Sequence, residues 1–258
     1  MMTSGTPSLI KQAGSPPSIA LALIAVFAVL LPQGAIGQST TNDQRDAGNG
    51  TPPSSPAHAT SAPFELSGLE WVRLYSSGVG APVDDGSAVT TDANGNVFVT
   101  GSSIGAGFYD YATVKYGSDG TELWVSRYNG PGNDRDDGHD IAVDNAGNVY
   151  VTGESHGETT SIDYSTIKYG PDGTELWVAR YDAPGQGGFD RARAIWVDGA
   201  GNVYVTGESA ESSASGHDFA TIMYDTNGVE QWVARFNGTA NNDDYPRGLF
   251  VTRRGTCT

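Results

Sequence analysis

A ten-residue pattern, Asp-x-x-Gly-Asn-Val-(Tyr/Phe)-Val-Thr-Gly, occurs three times in the chain, at Asp92–Gly101, Asp144–Gly153 and Asp198–Gly207. The copies start 52 and then 54 residues apart, and Trp71, Trp124, Trp177 and Trp232 keep nearly the same step, 53, 53 and 55. A period near fifty residues implies a stack of like units, because one such unit cannot bury its apolar faces alone.

Each unit reads as four strands. In the second copy, Ile141-Ala142-Val143 ends at Asp144-Asn145-Ala146-Gly147, where Asp opens a type I turn and Gly closes it. Val149-Tyr150-Val151-Thr152 resumes extended, so the two runs form a hairpin. Tyr164–Tyr169 is β-branched and aromatic and makes a third strand; Pro171-Asp172-Gly173 turns the chain into a fourth, Glu175–Tyr181. Four antiparallel strands per unit predict an all-β fold of β-propeller blades. In that architecture neighbouring blades cover both faces of the inner strands, which explains apolar runs such as Val97-Phe98-Val99 and Ile195-Trp196-Val197. The tryptophans of the outer strands are read as packing between blades. Complete blades are expected at about 87–128, 139–181 and 193–236, with one leading outer strand at 69–75 and one trailing inner strand at 247–252.

Residues 1–63 follow other rules. Lys11 precedes the apolar run Ile19–Leu31, and Ala35-Ile36-Gly37 offers small residues to a signal peptidase. That run is short for a bilayer span, so residues 1–37 read as a secretory signal cleaved before Gln38, leaving no membrane span. Residues 38–63, rich in Ser, Thr, Pro, Asn, Asp and Gly, read as a disordered linker, and 64–258 as the repeat region. The formal charge of −16 excludes nucleic acid as a partner and favours cations. The sole cysteine, Cys257, cannot form an internal disulfide, which suits a bacterial-type exported protein held by its core. The expected location is extracellular or at the cell surface, with the periplasm as the alternative.

The Gly-Asn-Val-Tyr-Val-Thr-Gly core, together with Asp-Tyr-Ser-Thr-Ile-Lys-Tyr and Asp-Gly-Thr-Glu-Leu-Trp, resembles the bacterial SBBP beta-propeller repeat over about residues 69–252. A weaker similarity links Ile-Ala-Val-Asp and Gly-Asn-Val-Tyr-Val to NHL repeats, and a still weaker one links the Trp-bearing units to quinoprotein dehydrogenases. The SBBP resemblance implies a secreted or cell-surface propeller, commonly seven-bladed, with no established catalytic activity. Three blades cannot close a ring, so either the chain is a truncated piece or it self-associates through exposed blade faces. Truncation is favoured by the tail. Gly255 aligns with Gly201, yet Thr256-Cys257-Thr258 stands where Asn-Val-Tyr-Val is due. Losing one A from AAC-GTG-TAC-GTG yields Thr-Cys-Thr, as a frameshift would.

Strand order places the tight turns on one end of the stack, and the long strand-2-to-3 loops and blade crossings on the other, here the upper face. Varied loops on a rigid scaffold commonly bind partners. Two aspartate series border that face: Asp84, Asp136, Asp190 and Asp244, and Asp110, Asp163 and Asp218. Such carboxylates could hold Ca²⁺ as metal ligands, or each could accept backbone N–H bonds where a loop enters a strand. Identical placement in every blade favours the second reading. Asp92-Ala93-Asn94-Gly95-Asn96 looks superficially like a calcium loop, but its Gly comes too early and no closing Glu follows; it reads as a turn. No catalytic constellation or cofactor motif is present: His58, His139, His156 and His217 lie at unrelated positions. The expected role is therefore a non-catalytic binding or structural module whose upper loops contact a protein, a surface glycan or a cation. Two alternatives stay open, a propeller enzyme (glycan-active or quinone-dependent) and a calcium-binding surface protein.

Overall fold

A computed structural model of the chain describes residues 71–78, 84–105, 107–184, 188–210, 216–238, 243–246 and 248–251. The signal peptide, the linker and the altered tail expected from the sequence lie outside them.

Twelve strands form three separate four-stranded antiparallel sheets, none of them closed. The first sheet holds β1 (Asp85–Thr91), β2 (Val97–Ile104), β3 (Tyr109–Tyr116) and β4 (Glu122–Tyr128). The second holds β5 (Asp136–Val143), β6 (Val149–His156), β7 (Ile162–Tyr169) and β8 (Glu175–Tyr181). The third holds β9 (Asp190–Val197), β10 (Val203–Ser209), β11 (Asp218–Tyr224) and β12 (Glu230–Phe236). Within each sheet the strands lie in chain order, as in propeller blades. No helix occurs among the described residues, and no helix there is long and apolar enough to cross a membrane.

The hairpin between the first two strands of each blade closes as the residues require. Asp144 Oδ1 accepts the Ala146 and Asn148 N–H groups at 2.9 Å each, Asn148 Nδ2 donates to Oδ2 at 2.7 Å, and Gly147 takes φ 82°. Asp92 and Asp198 repeat this arrangement, so the stretch resembling a calcium loop is a turn whose carboxylate is already engaged.

The innermost strands start two or three residues before the sequence reading placed them, at Asp85, Asp136 and Asp190. A β-bulge accounts for this. Ser87, His139 and Arg193 each stand unpaired between two paired neighbours, and the ladder then continues toward the upper face. Residues 71–75 do not form the leading outer strand expected at 69–75, because among the described residues no strand lies beside them to complete a ladder. They nevertheless occupy the position of one. Trp71 Nε1 donates to Ser118 O at 2.9 Å, just as Trp124 Nε1 donates to Pro171 O and Trp177 Nε1 to Thr226 O. At the other end only Val251, a bridge residue 4% exposed, holds a place in the strand expected at 247–252; residues 248–250 are not strand.

The core lies between sheets. Tyr111, on β3, is fully buried and donates to Ser165 O of β7; Tyr164 repeats this toward Ala220 O of β11. Trp124 touches Phe98 in its own blade and Tyr169 in the next, and Trp177 does the same with Tyr150 and Tyr224. Each indole thus spans a seam, as expected from the tryptophan period. Among the described residues Trp232 has only Tyr204 as an aromatic neighbour and is 37% exposed, with Val229 and Phe236 also open. No further sheet among those residues packs on this face of the third blade.

Candidate functional site

The two aspartate series lie at the upper ends of the strands, and the fold joins them blade by blade. Asp136 accepts Gly130 N–H at 2.6 Å and His156 N–H at 3.2 Å; Asp190 accepts Ala183 N–H at 3.0 Å and the Ser209 hydroxyl. Asp84 takes Ser77 N–H and the Ser103 hydroxyl, and Asp244 takes Gly238 N–H at 2.6 Å. These residues pin the blade crossings to the adjoining strands. The second series pairs with cations: Asp110 with Arg127 at 3.3 Å, Asp163 with Arg180 at 2.8 Å and Asp218 with Arg235 at 3.2 Å. The carboxylates do not form one ring. They are distributed one set per blade.

Sequence reasoning missed the arginines. Arg127, Arg180 and Arg235 recur three residues after each outer-strand tryptophan, and this period was the available signal. Each guanidinium reaches a serine of the second strand, the aspartate of the third, and a tyrosine of the preceding outer segment: Arg180 bonds Ser155, Asp163 and Tyr128. The Asp163 side chain is only 5% exposed, so removing its cation leaves a buried charge uncompensated. Arg180→Leu is expected to lower the stability of the fold by about 2–3 kcal/mol in urea unfolding. Arg73→Ala, which removes an exposed side chain bonded to the neighbouring Val72 carbonyl, should cost under about 0.5 kcal/mol. Equal losses would contradict this assignment.

One seam brings members of both series together. Asp163, Asp182 and Asp190 each place a carboxylate oxygen within 4.8 Å of the others, between the second and third blades. Asp163 and Asp190 are buried and Asp182 is exposed. Burial, with the neighbouring Asp182 charge, pushes Asp190 up to about 6 against the hydrogen bonds from Ala183 and Ser209. Asp182 is raised by burial and by Asp163. Asp182 was absent from the sequence candidates because the equivalent positions after the outer strands hold Asn129 and Asn237. At the preceding seam Asp136 is raised by burial and, in smaller part, by Asp110.

Above this repeated layer the side chains differ from blade to blade. Arg135 lies over the Tyr109 ring at 5.5 Å, Arg191 over Phe189 at 5.7 Å, and His217 stacks on Tyr245 at 6.2 Å. Arg191 also pairs with Glu154 and Arg193 with Glu208, at 2.7 and 2.8 Å. The unusual polar residues of the inner strands are engaged with neighbours. His139 Nδ1 lies 2.8 Å from Ala192 O, and Asp140 accepts Ile195 N–H at 2.9 Å, so both tie β5 to β9. Arg247 lies outside the described residues.

The SBBP beta-propeller repeat model matches residues 70–109 and 124–158. Among solved structures, the chain is similar to a protein of unknown function from Bacteroides caccae, with 15% identity and a TM-score of 0.42 over 72% of this chain and 55% of that one. It is similar to a eukaryotic initiation factor at 9% identity and a TM-score of 0.39, over 65% and 36%. An apocarotenoid oxygenase variant from Synechocystis gives 10% and 0.37, over 62% and 40%. The chain therefore spans about half the length of the first of these structures and less of the other two. No curated protein matches the sequence. The fifty-residue period, the four-stranded sheets and the family match agree: residues 70–109 and 124–158 match beta-propeller repeats of the SBBP type, and the three sheets are built alike.

Proposed function

We propose that the chain is an exported, non-catalytic propeller module whose upper face binds a protein or a surface glycan. The observation that carries this reading is the contrast between two layers at one end of the stack. Below, the Asp–Ser–Arg–Asp network repeats in every blade and holds the framework together. Above it the pairs differ: Arg135 lies over Tyr109, Arg191 over Phe189, and the His217 ring stacks on Tyr245. Arginine and aromatic side chains are the residue types that dominate binding surfaces, and a repeated framework lets them vary without loss of the fold. Among the described residues of the inner strands, His139, Asp140 and Arg193 are each engaged with a backbone or carboxylate neighbour, which favours a framework role for them. Export rests on the short apolar run Ile19–Leu31 followed by Ala35-Ile36-Gly37.

The test is a screen of the folded chain against immobilised surface polysaccharides and intact bacterial cells, beside the triple variant Arg135→Ala, Tyr109→Ala, Arg191→Ala. Binding by the parent chain and its loss, at least about tenfold, in the triple variant supports the reading. Undiminished binding by a folded triple variant refutes the assignment to the upper face. For export, the amino terminus of the secreted form should be Gln38.

A further inference from the structure

We propose that the seam between the second and third blades holds one divalent cation, Ca²⁺ by its chemistry, on Asp163, Asp182 and Asp190. These three stand at the start of β7, just past the end of β8, and at the start of β9, with carboxylate oxygens within 4.8 Å of one another. An acidic cluster alone would say little. Here Asp163, 3% exposed, carries an oxygen, Oδ1, that is buried and has no hydrogen-bond partner, while its Oδ2 takes the Arg180 guanidinium and the Thr160 hydroxyl. A buried carboxylate oxygen without a donor is costly unless something positive meets it. Charge points the same way. Three carboxylates outnumber the two guanidinium groups beside them, Arg180 on Asp163 and Arg235 on the Ser209 hydroxyl that bonds Asp190, so the seam keeps an excess of negative charge for a cation to offset.

The donors are all oxygen, without His or Cys, which selects a hard cation. Three carboxylates of unequal burial, completed by water or backbone carbonyls, suit the loose six-to-eight-fold shell of Ca²⁺ better than the strict octahedron of Mg²⁺. Asp190 already accepts one bond at each oxygen, from Ala183 N–H and Ser209, but a carboxylate offers about four acceptor positions, so it can serve the ion as well.

The other seams differ at one position. Asn129 and Asn237 stand where this one has Asp182, with Asp110 and Asp136, or Asp218 and Asp244, around them. Asp182 thus breaks the repeat identity that favours a purely structural role for these aspartates. A bound ion would join the blade crossing to the upper ends of β7 and β9. It would be held whether or not the upper face engages a macromolecule, so this inference is independent of the binding role proposed above.

The experiment is calorimetric titration of the chelator-treated, folded chain with CaCl₂ near neutral pH, with thermal unfolding in Ca²⁺ and in EDTA. One site is expected, with a dissociation constant on the order of 10⁻⁴ M, and Tm should rise in Ca²⁺. Asp182→Asn, at an exposed position, should keep the β-sheet circular dichroism spectrum and weaken binding at least about tenfold. Asn129→Asp should raise the stoichiometry from one towards two. No heat and no Tm shift up to about 10 mM Ca²⁺, well above the weak end of protein sites, overturns the proposal. So does Ca²⁺ binding unchanged by Asp182→Asn, or Mg²⁺ binding as tightly as Ca²⁺.

Discussion

Trp177→Ala should destabilise the fold by about 3 kcal/mol, while Trp232→Ala, the same substitution at the equivalent residue of the next blade, should cost about 1 kcal/mol or less. Both tryptophans sit at the same place in an outer strand and both touch a tyrosine of their own blade, Tyr150 and Tyr204. They differ in their surroundings beyond that blade. Trp177 is partly buried against Tyr224 of the third blade, lies over the Gly228 turn, and donates its Nε1 hydrogen to Thr226 O at 3.1 Å. Removing it opens a cavity in the seam and leaves Thr226 O with the Lys168 ammonium as its remaining side-chain donor. Trp232 is 37% exposed, with no further sheet packed on it among the described residues. Stacked repeats gain stability mainly from nearest-neighbour interfaces, so the difference between the two variants reads the worth of one covering blade. Urea unfolding monitored by tryptophan fluorescence and by circular dichroism measures it. Equal losses would mean that the indoles stabilise their own sheets and that blades do not hold one another.

The repeat was legible because each part of the motif has a local physical cause. Asp144 and Gly147 make the hairpin turn from their own backbone preferences, and Val149 to Val151 must be buried, so strand, turn and seam could all be placed from residue type. The bulge at His139 was not legible. It results from long-range pairing between β5 and β6, which local propensity does not encode, and it carried the start of the inner strand back to Asp136. The seam chemistry was half legible. Asp136 and Asp163 were singled out from their spacing, but the arginines of this layer, Arg127, Arg180 and Arg235, stand on the outer strand and meet the third-strand aspartates through the pairing of those two strands, which residue type alone does not show. Asp182 was hidden for the opposite reason: it departs from the repeat, and attention to periodicity passes over the position where one copy differs.

Gly153→Ala should cost about 3 kcal/mol or more, although it adds one methyl group to a strand where alanine is ordinarily tolerated. The reason is the bulge opposite. Between Gly138 and Asp140 the inner strand kinks, and the carbonyl of Asp137 turns onto the Cα of Gly153; a Cβ there would fall far inside contact distance of that oxygen and 2.8 Å from the Tyr111 hydroxyl. Both obstacles are held in place. Tyr111 is fully buried with its hydroxyl bonded to Ser165 O, and the carbonyl belongs to the strand that Asp136 anchors. The same encounter recurs at Gly101 with Asp85 O and at Gly207 with Arg191 O, which explains why every copy of the motif ends in Gly. Gly147→Ala supplies the comparison. Its φ of 82° makes the substitution strained, but the nearest atoms to a new Cβ are those of Pro171 at 3.7 Å, so the cost should stay near 1–2 kcal/mol. If Gly153→Ala proves as mild as Gly147→Ala, the bulge is soft enough to slide. The early start of the inner strand, with Asp136 at its head, would then lose its rigid support.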